Sequence, residues 1–512
     1  MDSYPYYTAY VATVIIAVLL VCRRIRPQVY LSLPPGPRPW PIIGNLLDFP
    51  SAAPWTTFDR LGKTYGDVIH MRVMGHSVVV LMSVQAISDL LDKRSSIYSD
   101  RIRSIFLCDL VEAGWAMVLQ GYTDSWRRSR RVFRQYFNRD VAPKFQEIQR
   151  EETQAFLLRL HRSPDEVQGL VRHLFSSMIM RIMYGIKISE QNDPYVAIAE
   201  EVMKGFSEAG QPGRFYVDFI PFLRYIPTWF PGALFHKRAA SLKPVFNAMV
   251  NKPFNVVKDS IVSGSTIPSV VLSMLEGIHD GTRREEDEMA VKSSAASAYA
   301  GGADTTRSAI QLFLLAMVLY PDVQRRAQAE LQSIVGSNRM PAFADRPSLP
   351  YVQALILEIL RWQPVAPLSM PHSTSSSDTY RGYYIPKGAI VIGNAWSILH
   401  DPQHYPNPFS FNPERFLKNG RLDSDVLSPT VVCFGFGRRI CPGQFFALDS
   451  LYIIVSSILQ LFDISHKIDE CGQQIAVDVR LTSGLISSTE PFACSFKLRS
   501  AAAEALFSSL PD

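Results

Sequence analysis

The residues with the clearest chemical potential lie in the segment 434–443, Phe-Gly-Phe-Gly-Arg-Arg-Ile-Cys-Pro-Gly. Its cysteine, Cys441, comes just before an apolar stretch, 444–462, that is predicted to be a helix. Free backbone N–H groups and the helix dipole at a helix N-terminus stabilise a thiolate. Arg439 can reach a negative group, and three glycines would let the backbone approach a flat macrocycle: Gly435, Gly437 and Gly443. The segment therefore predicts a thiolate ligand beside such a macrocycle; a structural cysteine in a glycine-rich loop is the alternative.

The other cysteines offer no competing site. They are scattered, and no pair has the CxxC spacing of a zinc or redox site. Sparse cysteine usage in a long chain fits a reducing compartment, which a thiolate ligand also needs. Cys433 is expected to be a small, buried apolar residue.

A second group of reactive side chains lies in the middle of a predicted helix, 288–320, within Gly301-Gly-Ala-Asp-Thr-Thr306. Two adjacent glycines cost a helix ~1–2 kcal/mol, so we expect a kink with room for ordered water. Asp304 and Thr305 lie beside the glycines, and the Thr305 hydroxyl could bond the carbonyl four residues earlier. The alternative is a flexible surface helix, which the low charge of the surrounding stretch argues against.

Charged residues at helical spacing form a third motif. Glu358 and Arg361 lie on one predicted helix face, and Arg415 follows in a Pro-Glu-Arg-Phe stretch on the way to the cysteine. The same Glu-x-x-Arg spacing recurs at Glu147 and Arg150, where we expect an ordinary helix surface. Spacing alone therefore does not distinguish the two copies.

These motifs, in this order, resemble the cytochrome P-450 family. The match to its Phe-x-x-Gly-x-Arg-x-Cys-x-Gly signature is complete, with Phe434, Gly437, Arg439, Cys441 and Gly443 in place. The resemblance implies haem b (iron protoporphyrin IX), with Cys441 as the axial ligand of the haem iron. It covers residues 33 to 494 and is closest to membrane-bound fungal members of secondary metabolism.

The resemblance also assigns roles to the other motifs. Trp126 and Arg130 would hold a haem propionate through charge-assisted bonds, with His372 as a further partner or else as a solvent-exposed histidine. Asp304 and Thr305 resemble the catalytic acid–alcohol pair that relays protons to bound dioxygen.

Structural and substrate-binding residues follow from the same analogy. Glu358, Arg361 and Arg415 would form a buried charged triad with a structural role. The predicted substrate pocket draws apolar residues from separate stretches of the chain: Ile105, Phe106, Phe206, Ala296, Ala300, Val365, Leu368 and Leu485, together with Ile102 and Ile486.

The elements needed to position these residues are mostly helical, with a small β region. Helical periodicity is predicted over 124–160, 239–260, 288–320, 322–336, 349–362 and 443–462. A β-hairpin is predicted from Asp67–Val73 and Ser77–Met82, with another strand over Gly388–Gly393. No internal repeat or linker interrupts the later chain, so a cytochrome P-450 fold with a single large haem domain is expected over 46–500, followed by a C-terminal tail, 501–512.

The N-terminal region predicts a membrane anchor. Residues 6–22 carry no charge and are just long enough to span a bilayer as a transmembrane helix, and the arginines that follow should remain cytoplasmic. We predict a single-pass anchor over 1–26, which for this family implies the endoplasmic reticulum membrane with a cytoplasmic catalytic domain. A buried core helix is the alternative. Prolines then make a stiff tether over 27–45.

Charge bears on the partners. The net charge of +5, from 52 basic and 47 acidic residues, is too weak to indicate a nucleic-acid partner. A local basic cluster on the predicted thiolate side suits an acidic flavoprotein such as NADPH–cytochrome P-450 reductase, or is simply a solvated basic face. Its members are Arg127, Arg128, Arg131, Arg134 and Arg438.

The implied function is that of a monooxygenase. It would oxidise a small lipophilic substrate, such as a terpenoid, polyketide or aromatic natural product, with O2 and electrons from NADPH through a reductase. A haem-thiolate isomerase or dehydratase, and a non-catalytic membrane haem-binding protein, are the alternatives; Asp304–Thr305 argues against the isomerase. The aromatic segment 215–235 is predicted to enter the bilayer and admit lipophilic substrates, with ordinary core packing as the alternative.

Overall fold

The structure, a computed structural model, describes residues 32–50, 52–211, 213–278 and 283–511. Helices dominate it, in agreement with the sequence pattern. Those of seven or more residues are α1 (Pro54–Tyr65), α2 (Asp124–Tyr136), α3 (Gln146–Arg162), α4 (Val167–Tyr184), α5 (Pro194–Ala209), α6 (Leu234–Val262), α7 (Val270–Glu276), α8 (Arg284–Leu319), α9 (Pro321–Ile334), α10 (Pro350–Trp362), α11 (Gln444–Leu461) and α12 (Ala501–Ser508). Shorter helical turns lie between them.

The strands form one four-stranded sheet and smaller two-stranded ribbons. They are β1 (Val68–Val73), β2 (His76–Leu81), β3 (His372–Ser373), β4 (Asp378–Tyr380), β5 (Tyr383–Ile385), β6 (Ile390–Gly393), β7 (Leu417–Lys418), β8 (Arg421–Leu422), β9 (Phe462–His466) and β10 (Cys494–Leu498). The main sheet has the order β1-β2-β6-β3. The predicted hairpin is confirmed as β1 and β2, and the predicted strand near residue 390 is β6, which joins β2 in parallel.

The helix predicted over 124–160 is wrong in one respect, because the chain turns between α2 and α3. The side-chain oxygen of Asn138 accepts hydrogen bonds from the amides of Asp140 (2.9 Å) and Val141 (3.2 Å). Pro143 follows and disfavours continuation of the helix, since it lacks an amide hydrogen. The turn allows α2 to pack on α8 while α3 packs on α4 and α11.

Helix α8 is 36 residues long and lies at the centre of the domain, in contact with α2, α4, α5, α6 and α11. It runs through Gly301 and Gly302 without an interruption of the helix, so the two glycines do not divide it. A Cβ at Gly302 would lie 2.8 Å from Cδ1 of Ile179 in α4, whereas a Cβ at Gly301 would meet nothing within 4 Å. One glycine therefore lets two helices approach closely, and the other leaves open space beside the helix.

Helix α11 is the one helix among the described residues that is long and apolar enough to cross a membrane. Because 72% of its residues are buried inside the protein, it is a core helix. The predicted anchor over 1–26 lies outside the described residues.

The described part of the predicted tether lies against the sheet. The carbonyl of Ser32 accepts from the amide of Tyr384 (2.9 Å), and that of Pro35 accepts from the amide of His70 in β1 (2.9 Å). A Cβ at Gly36 would lie 1.9 Å from the His70 carbonyl oxygen. From Ser32 onward the predicted tether is therefore bonded to the domain.

The segment predicted as a C-terminal tail also belongs to the folded domain. Residues 501–508 form α12, in which Ala503 and Leu506 are buried in the main hydrophobic core. The ring of Phe507 lies 4.6 Å from that of His161 in α3. The predicted boundary at residue 500 therefore does not separate a free tail from the core.

A buried charge network connects α10 to the loop that follows β6. Arg361 donates from Nε (2.7 Å) and Nη2 (2.8 Å) to the two oxygens of Glu358, and Arg415 Nε lies 3.2 Å from the same carboxylate. The side chains of Glu358 and Arg361 are fully buried. The remaining N–H groups of Arg361 donate to backbone carbonyls, those of Leu399, Pro408 and Ser410. The three residues of the predicted triad are therefore in direct contact.

Replacing Glu358 with alanine should destabilise the protein by about 3–5 kcal/mol, because two buried arginines would lose their carboxylate. The measurement is the free energy of unfolding in urea. Glu147→Ala is the matched control, since the Glu147–Arg150 pair has the same spacing but side chains that are 65% and 38% exposed. It should cost less than about 1 kcal/mol. Equal losses in the two variants would contradict a stabilising role for the buried network.

Candidate active site

A cavity of about 910 Å³ lies among α2, α4, α5, α8 and the start of α11. Loops within 101–119, 365–372, 433–443 and 482–491 supply its other walls. Its size is in the usual range of small-molecule sites, roughly 300–1,000 Å³. Cys441, Asp304 and Thr305 all line this cavity, although they are far apart in sequence.

Cys441 lies on the cavity wall just before α11. Its amide donates to the carbonyl of Phe434 (2.7 Å), which closes the loop, and Phe434 itself lines the cavity. Burial raises the pKa of the Cys441 thiol, while the backbone amide of Gly443 and the charge of Arg130 lower it. The helix N-terminus thus lowers the pKa of the thiol, as predicted, but burial raises it by more. A thiolate at this position is therefore favoured by a cation beside the sulfur, which a bound haem iron would supply.

The glycines of the cysteine loop have different functions. Gly435 and Gly443 line the cavity, where the absence of a side chain leaves room for a flat group. Gly437 does not line it: its φ is 52°, and a Cβ there would lie 2.1 Å from the carbonyl oxygen of Leu91. The expectation that Gly437 makes room for a macrocycle is therefore corrected. Gly437 lets the loop lie against Leu91, and its amide donates to Asp92 Oδ1.

Three arginines, Arg101, Arg130 and Arg439, lie together at one end of the cavity. The guanidinium carbon of Arg439 lies 4.0 Å from the ring centroid of Trp126, which also lines the cavity. Each arginine donates to backbone carbonyls: Arg439 to Ser99 and Gln120 (both 2.8 Å), Arg130 to Ile440, and Arg101 to Met370 (2.6 Å) and Pro371. Trp126 and Arg130 lie on the cavity, as predicted. Arg101 is a further member of the cluster that the sequence analysis did not identify.

None of these arginines forms an ion pair with a carboxylate within the described residues. Burial, and then the charge of a neighbouring arginine, lowers the pKa of Arg101 to about 9; burial also lowers that of Arg439 to about 10. Arg101 Nε has no hydrogen-bond partner in the described chain. Asp100 is the nearby opposite charge. The cluster therefore suits a ligand with carboxylates, and the two propionates of haem b fit it.

His372 is buried, 2% exposed, so the expectation of a solvent-exposed histidine is wrong. Its Nδ1 lies 2.6 Å from the carbonyl oxygen of Tyr98, which requires the hydrogen on Nδ1. Burial, and then the charge of Arg101, holds the pKa of His372 well below its ordinary value. A neutral ring bonded in this way offers an acceptor at Nε2, so Arg101 is the better propionate partner.

Asp304 and Thr305 lie on α8 beside the cavity. Thr305 Oγ1 donates to the carbonyl of Gly301 (2.7 Å), as the spacing suggested. Asp304 Oδ1 accepts from Nε (2.8 Å) and Nη2 of Arg307, leaving Oδ2 without a bonded partner in the described part of the chain. Arg307 also lines the cavity, and its pairing with Asp304 was visible in the i,i+3 spacing but not predicted.

The predicted pocket residues divide into two groups. Phe206, Ala300, Val365 and Leu485 line the cavity, as do Ile102 and Ile486. The other four do not, and their prediction as lining residues is corrected. Ile105, Phe106 and Ala296 are buried in packed core, where the Phe106 ring stacks on Phe215 at 3.6 Å, and Leu368 packs against the cluster under the main sheet.

The basic cluster is partly neutralised. Arg128 Nη1 lies 2.8 Å from Asp287 Oδ1 and also pairs with Glu286, and Arg127 pairs with Asp124 at 3.0 Å. Arg438 donates to the Tyr122 hydroxyl. In the described chain Arg131, Arg134 and Arg438 form no ion pair with a carboxylate, so the free positive charge is smaller than the sequence count of five implied.

Comparisons with known proteins bear on this geometry. The family model for cytochrome P450 matches residues 34–484. Cytochrome P450 monooxygenase COX1 of Coprinopsis cinerea is 40% identical over 487 residues, which cover 94% of each chain. Cytochrome P450 monooxygenase 98 of Postia placenta is 40% identical over 98% of this chain and 97% of its own. Tryptamine 4-monooxygenase of Psilocybe cyanescens is 38% identical over 93% and 94%.

These relatives are named as monooxygenases, which favours oxygen insertion over the isomerase and the non-catalytic alternatives. Family members bind haem b through a cysteine thiolate, and the cavity offers a cysteine, space for a flat group and an arginine cluster suited to propionates. The chain belongs to the cytochrome P450 family and is a monooxygenase, an oxidoreductase with haem b as its cofactor.

Proposed function

We propose that the enzyme hydroxylates or otherwise oxidises a small, largely apolar natural product, using Cys441 as the thiolate ligand. O2 is the oxygen source, and NADPH supplies electrons through a cytochrome P-450 reductase. The observation that carries the proposal is the convergence of Cys441, Asp304 and Thr305 on one cavity whose other walls are mainly apolar. A haem-binding protein without catalysis would have no need of the proton-carrying side chains.

Cys441 and the arginines hold the cofactor in this proposal. When bound, haem supplies the activation of dioxygen, and a thiolate ligand favours cleavage of the O–O bond. Arg101, Arg130 and Arg439 bind the propionates by charge-assisted hydrogen bonds, and the Trp126 ring packs on the Arg439 guanidinium. These side chains fix the orientation of the cofactor relative to α8.

Asp304 and Thr305 hold and move protons on the cavity side of α8. The bond from Thr305 Oγ1 to the Gly301 carbonyl directs the hydroxyl proton along the helix and leaves the oxygen free to accept a hydrogen bond from water. Asp304 Oδ2 is the carboxylate oxygen left free by Arg307, so it is the atom available to such a water. Protons from the surface pass by this route to the cavity.

The substrate class is an apolar skeleton, such as a terpenoid, polyketide or aromatic compound. Apolar side chains, among them Ile102, Phe206, Val365, Leu485 and Ile486, support it. One relative is named for action on tryptamine, an aromatic amine, which supports an aromatic skeleton in particular. Secondary metabolism is the proposed setting.

The reductase approaches the side of the protein on which the cysteine loop lies. Arg131, Arg134 and Arg438, free of carboxylate partners in the described chain, supply the positive charge for an acidic flavoprotein. Arg128 contributes less, because Asp287 and Glu286 already compensate its charge.

In this proposal the N-terminal anchor holds the protein in the endoplasmic reticulum membrane, with the catalytic domain in the cytoplasm. The catalytic domain makes a second contact with the membrane. The second contact is an apolar face whose side chains are 48–87% exposed: Trp40, Ile42, Leu47, Phe222, Tyr225, Trp229 and Phe230. Its two parts meet at the β1–β2 turn, where Met74 N donates to the Ile43 carbonyl (3.2 Å) and the His76 ring lies 6.1 Å from that of Phe219. Exposure on this scale contradicts core packing for these aromatics.

Replacing Cys441 with histidine should abolish the red-shifted Soret band of the ferrous–CO complex, because that band requires a thiolate opposite the CO. The measurement is the reduced CO difference spectrum of purified protein. Cys433→Ala is the control and should retain the band, since Cys433 also lines the cavity but lies outside the 434–443 motif that carries the ligand. A band that survives in Cys441→His and disappears in Cys433→Ala would overturn the ligand assignment.

Thr305→Ala should lower the product formed per NADPH oxidised by about tenfold, the equivalent of one lost hydrogen bond of ~1.4 kcal/mol. NADPH and O2 would still be consumed, and hydrogen peroxide would replace product because proton delivery is impaired. Product, peroxide and NADPH are measured together. Thr305→Ser keeps the hydroxyl and should restore coupling. Unchanged coupling in Thr305→Ala would assign the residue to helix packing.

A variant lacking residues 1–26 should still float with phosphatidylcholine vesicles through the apolar face. Adding Phe222→Glu and Trp229→Glu should reduce binding by at least tenfold, since each buried aromatic contributes ~1.5–3 kcal/mol. Phe409→Glu, at an exposed apolar position outside this face, is the control and should leave flotation unchanged. Equal flotation of the double variant and its parent would contradict the proposed contact.

A further inference from the structure

Two buried hydroxyls lack a hydrogen-bond partner on the loop wall of the cavity. Ser369 is 5% exposed and Thr489 is 7% exposed, and both residues line the cavity. Neither Ser369 Oγ nor Thr489 Oγ1 has a hydrogen-bond partner in the described chain. Buried polar groups in proteins are nearly always bonded, so an unbonded hydroxyl on a cavity wall is available to a ligand in that cavity.

The two hydroxyls belong to neighbouring loops. The amide of Ser487 donates to the carbonyl of Val365 (2.8 Å), which joins the loop carrying Thr489 to the loop carrying Ser369. Thr489 is further held by a bridge to Leu481. Ser369 has a φ of 53°, a left-handed conformation that serine rarely adopts. The wall is therefore fixed, and one of its hydroxyls is held by a strained backbone of the kind found at ligand sites.

Several other hydroxyls on the cavity are bonded. Thr305 donates to Gly301, Ser308 Oγ lies 2.6 Å from Ser488 Oγ, and Ser297 Oγ accepts from the Met117 amide (3.0 Å). Three more polar atoms of the lining are unbonded in the described chain. Arg101 Nε belongs to the arginine cluster, and Ser176 Oγ and Gln311 Oε1 lie on helices α4 and α8. Ser176 Oγ adjoins the Tyr299 hydroxyl. The unbonded pair on the loops thus differs from the rest of the lining.

We propose that Ser369 and Thr489 form a polar subsite that binds a neutral oxygen atom of the substrate. The substrate is then an apolar skeleton that already carries a hydroxyl or carbonyl group. Hydroxyls suit either group, because they both donate and accept, and neither Ser369 nor Thr489 brings a charge that would select a carboxylate or an ammonium. This inference rests on the proposed monooxygenase function and narrows its substrate class.

The subsite implies a position in a reaction sequence. A reaction that introduces oxygen into the skeleton, by hydroxylation or by capture of water, must act before this enzyme. The site discriminates against the unoxygenated precursor because that molecule would leave two buried hydroxyls unbonded.

The test compares two probes that share one skeleton, decalin and decahydro-2-naphthol. Their dissociation constants from the haem-loaded full-length protein are measured by equilibrium dialysis, so that no spectral change is required. We expect the double variant Ser369→Ala and Thr489→Val to raise the dissociation constant of decahydro-2-naphthol by about tenfold (1.4 kcal/mol). The dissociation constant of decalin should be unchanged. The ratio of the two dissociation constants is compared between the double variant and the wild type, so that the different hydrophobicity of the probes cancels.

Ser397→Ala is the matched control, because Ser397 Oγ is also buried and unbonded in the described chain but Ser397 does not line the cavity. It should leave the ratio unchanged. An unchanged ratio in the double variant, or no measurable binding of decahydro-2-naphthol to the wild type, would overturn the subsite. Loss of the red-shifted CO band in the wild type would instead contradict the proposed function, so the two failures are distinguishable.

Discussion

The carboxylate of Glu358 is the point at which several segments of the chain meet. It bonds Arg361 and Arg415 and accepts the amide of Asn412 (2.7 Å). Tyr405 lies 5.4 Å from the Arg361 guanidinium and donates to the carbonyl of Leu427 (2.7 Å). Tyr405 also belongs to the hydrophobic cluster that contains residues 432 and 436, next to the cysteine loop. The position of the loop thus depends on a buried charge that does not itself line the cavity.

The cavity has the opposite arrangement. There, three arginines of the cavity wall donate to backbone carbonyls and form no ion pair with a carboxylate of the described chain. In the Glu358 network, positive and negative charges belong to the same polypeptide. The network is therefore complete without any ligand and supports the fold. The second cluster has Asp100 nearby but no ion pair in the described chain, so it is suited to the propionates of the cofactor. The domain therefore uses arginines in two ways. Where a carboxylate of the chain pairs with them they support the fold, and where none does they are suited to bind an anionic group.

The parts of this architecture that are predictable from sequence have a regular period or a dense motif. The long central helix, predicted over 288–320, is observed over Arg284–Leu319, because its apolar pattern continues over many turns. The cysteine lies on the cavity as predicted, since its motif combines several residue types in a short stretch. The hairpin from β1 and β2 was likewise visible in its alternating pattern and its turn glycine.

The features that escaped prediction lie where periodicity carries no information. Arg101, Ser369 and Thr489 are in loops, whose side-chain directions depend on individual backbone angles and not on a repeat. Ile105 and Leu368 were assigned to the pocket by analogy, yet each packs into the core. In both cases a residue next to it in sequence lines the cavity instead. Sequence patterns identify which stretches border a site; only the folded backbone determines which of their residues face it.

The arginine cluster also links the stability of the fold to the cofactor. Three like charges lie on one cavity wall, and none of them forms an ion pair with a carboxylate of the described chain. A ligand that binds only the folded state stabilises that state, and an anionic ligand here would also offset the repulsion among the arginines. Haem is therefore expected to contribute to the stability of the domain as well as to its chemistry.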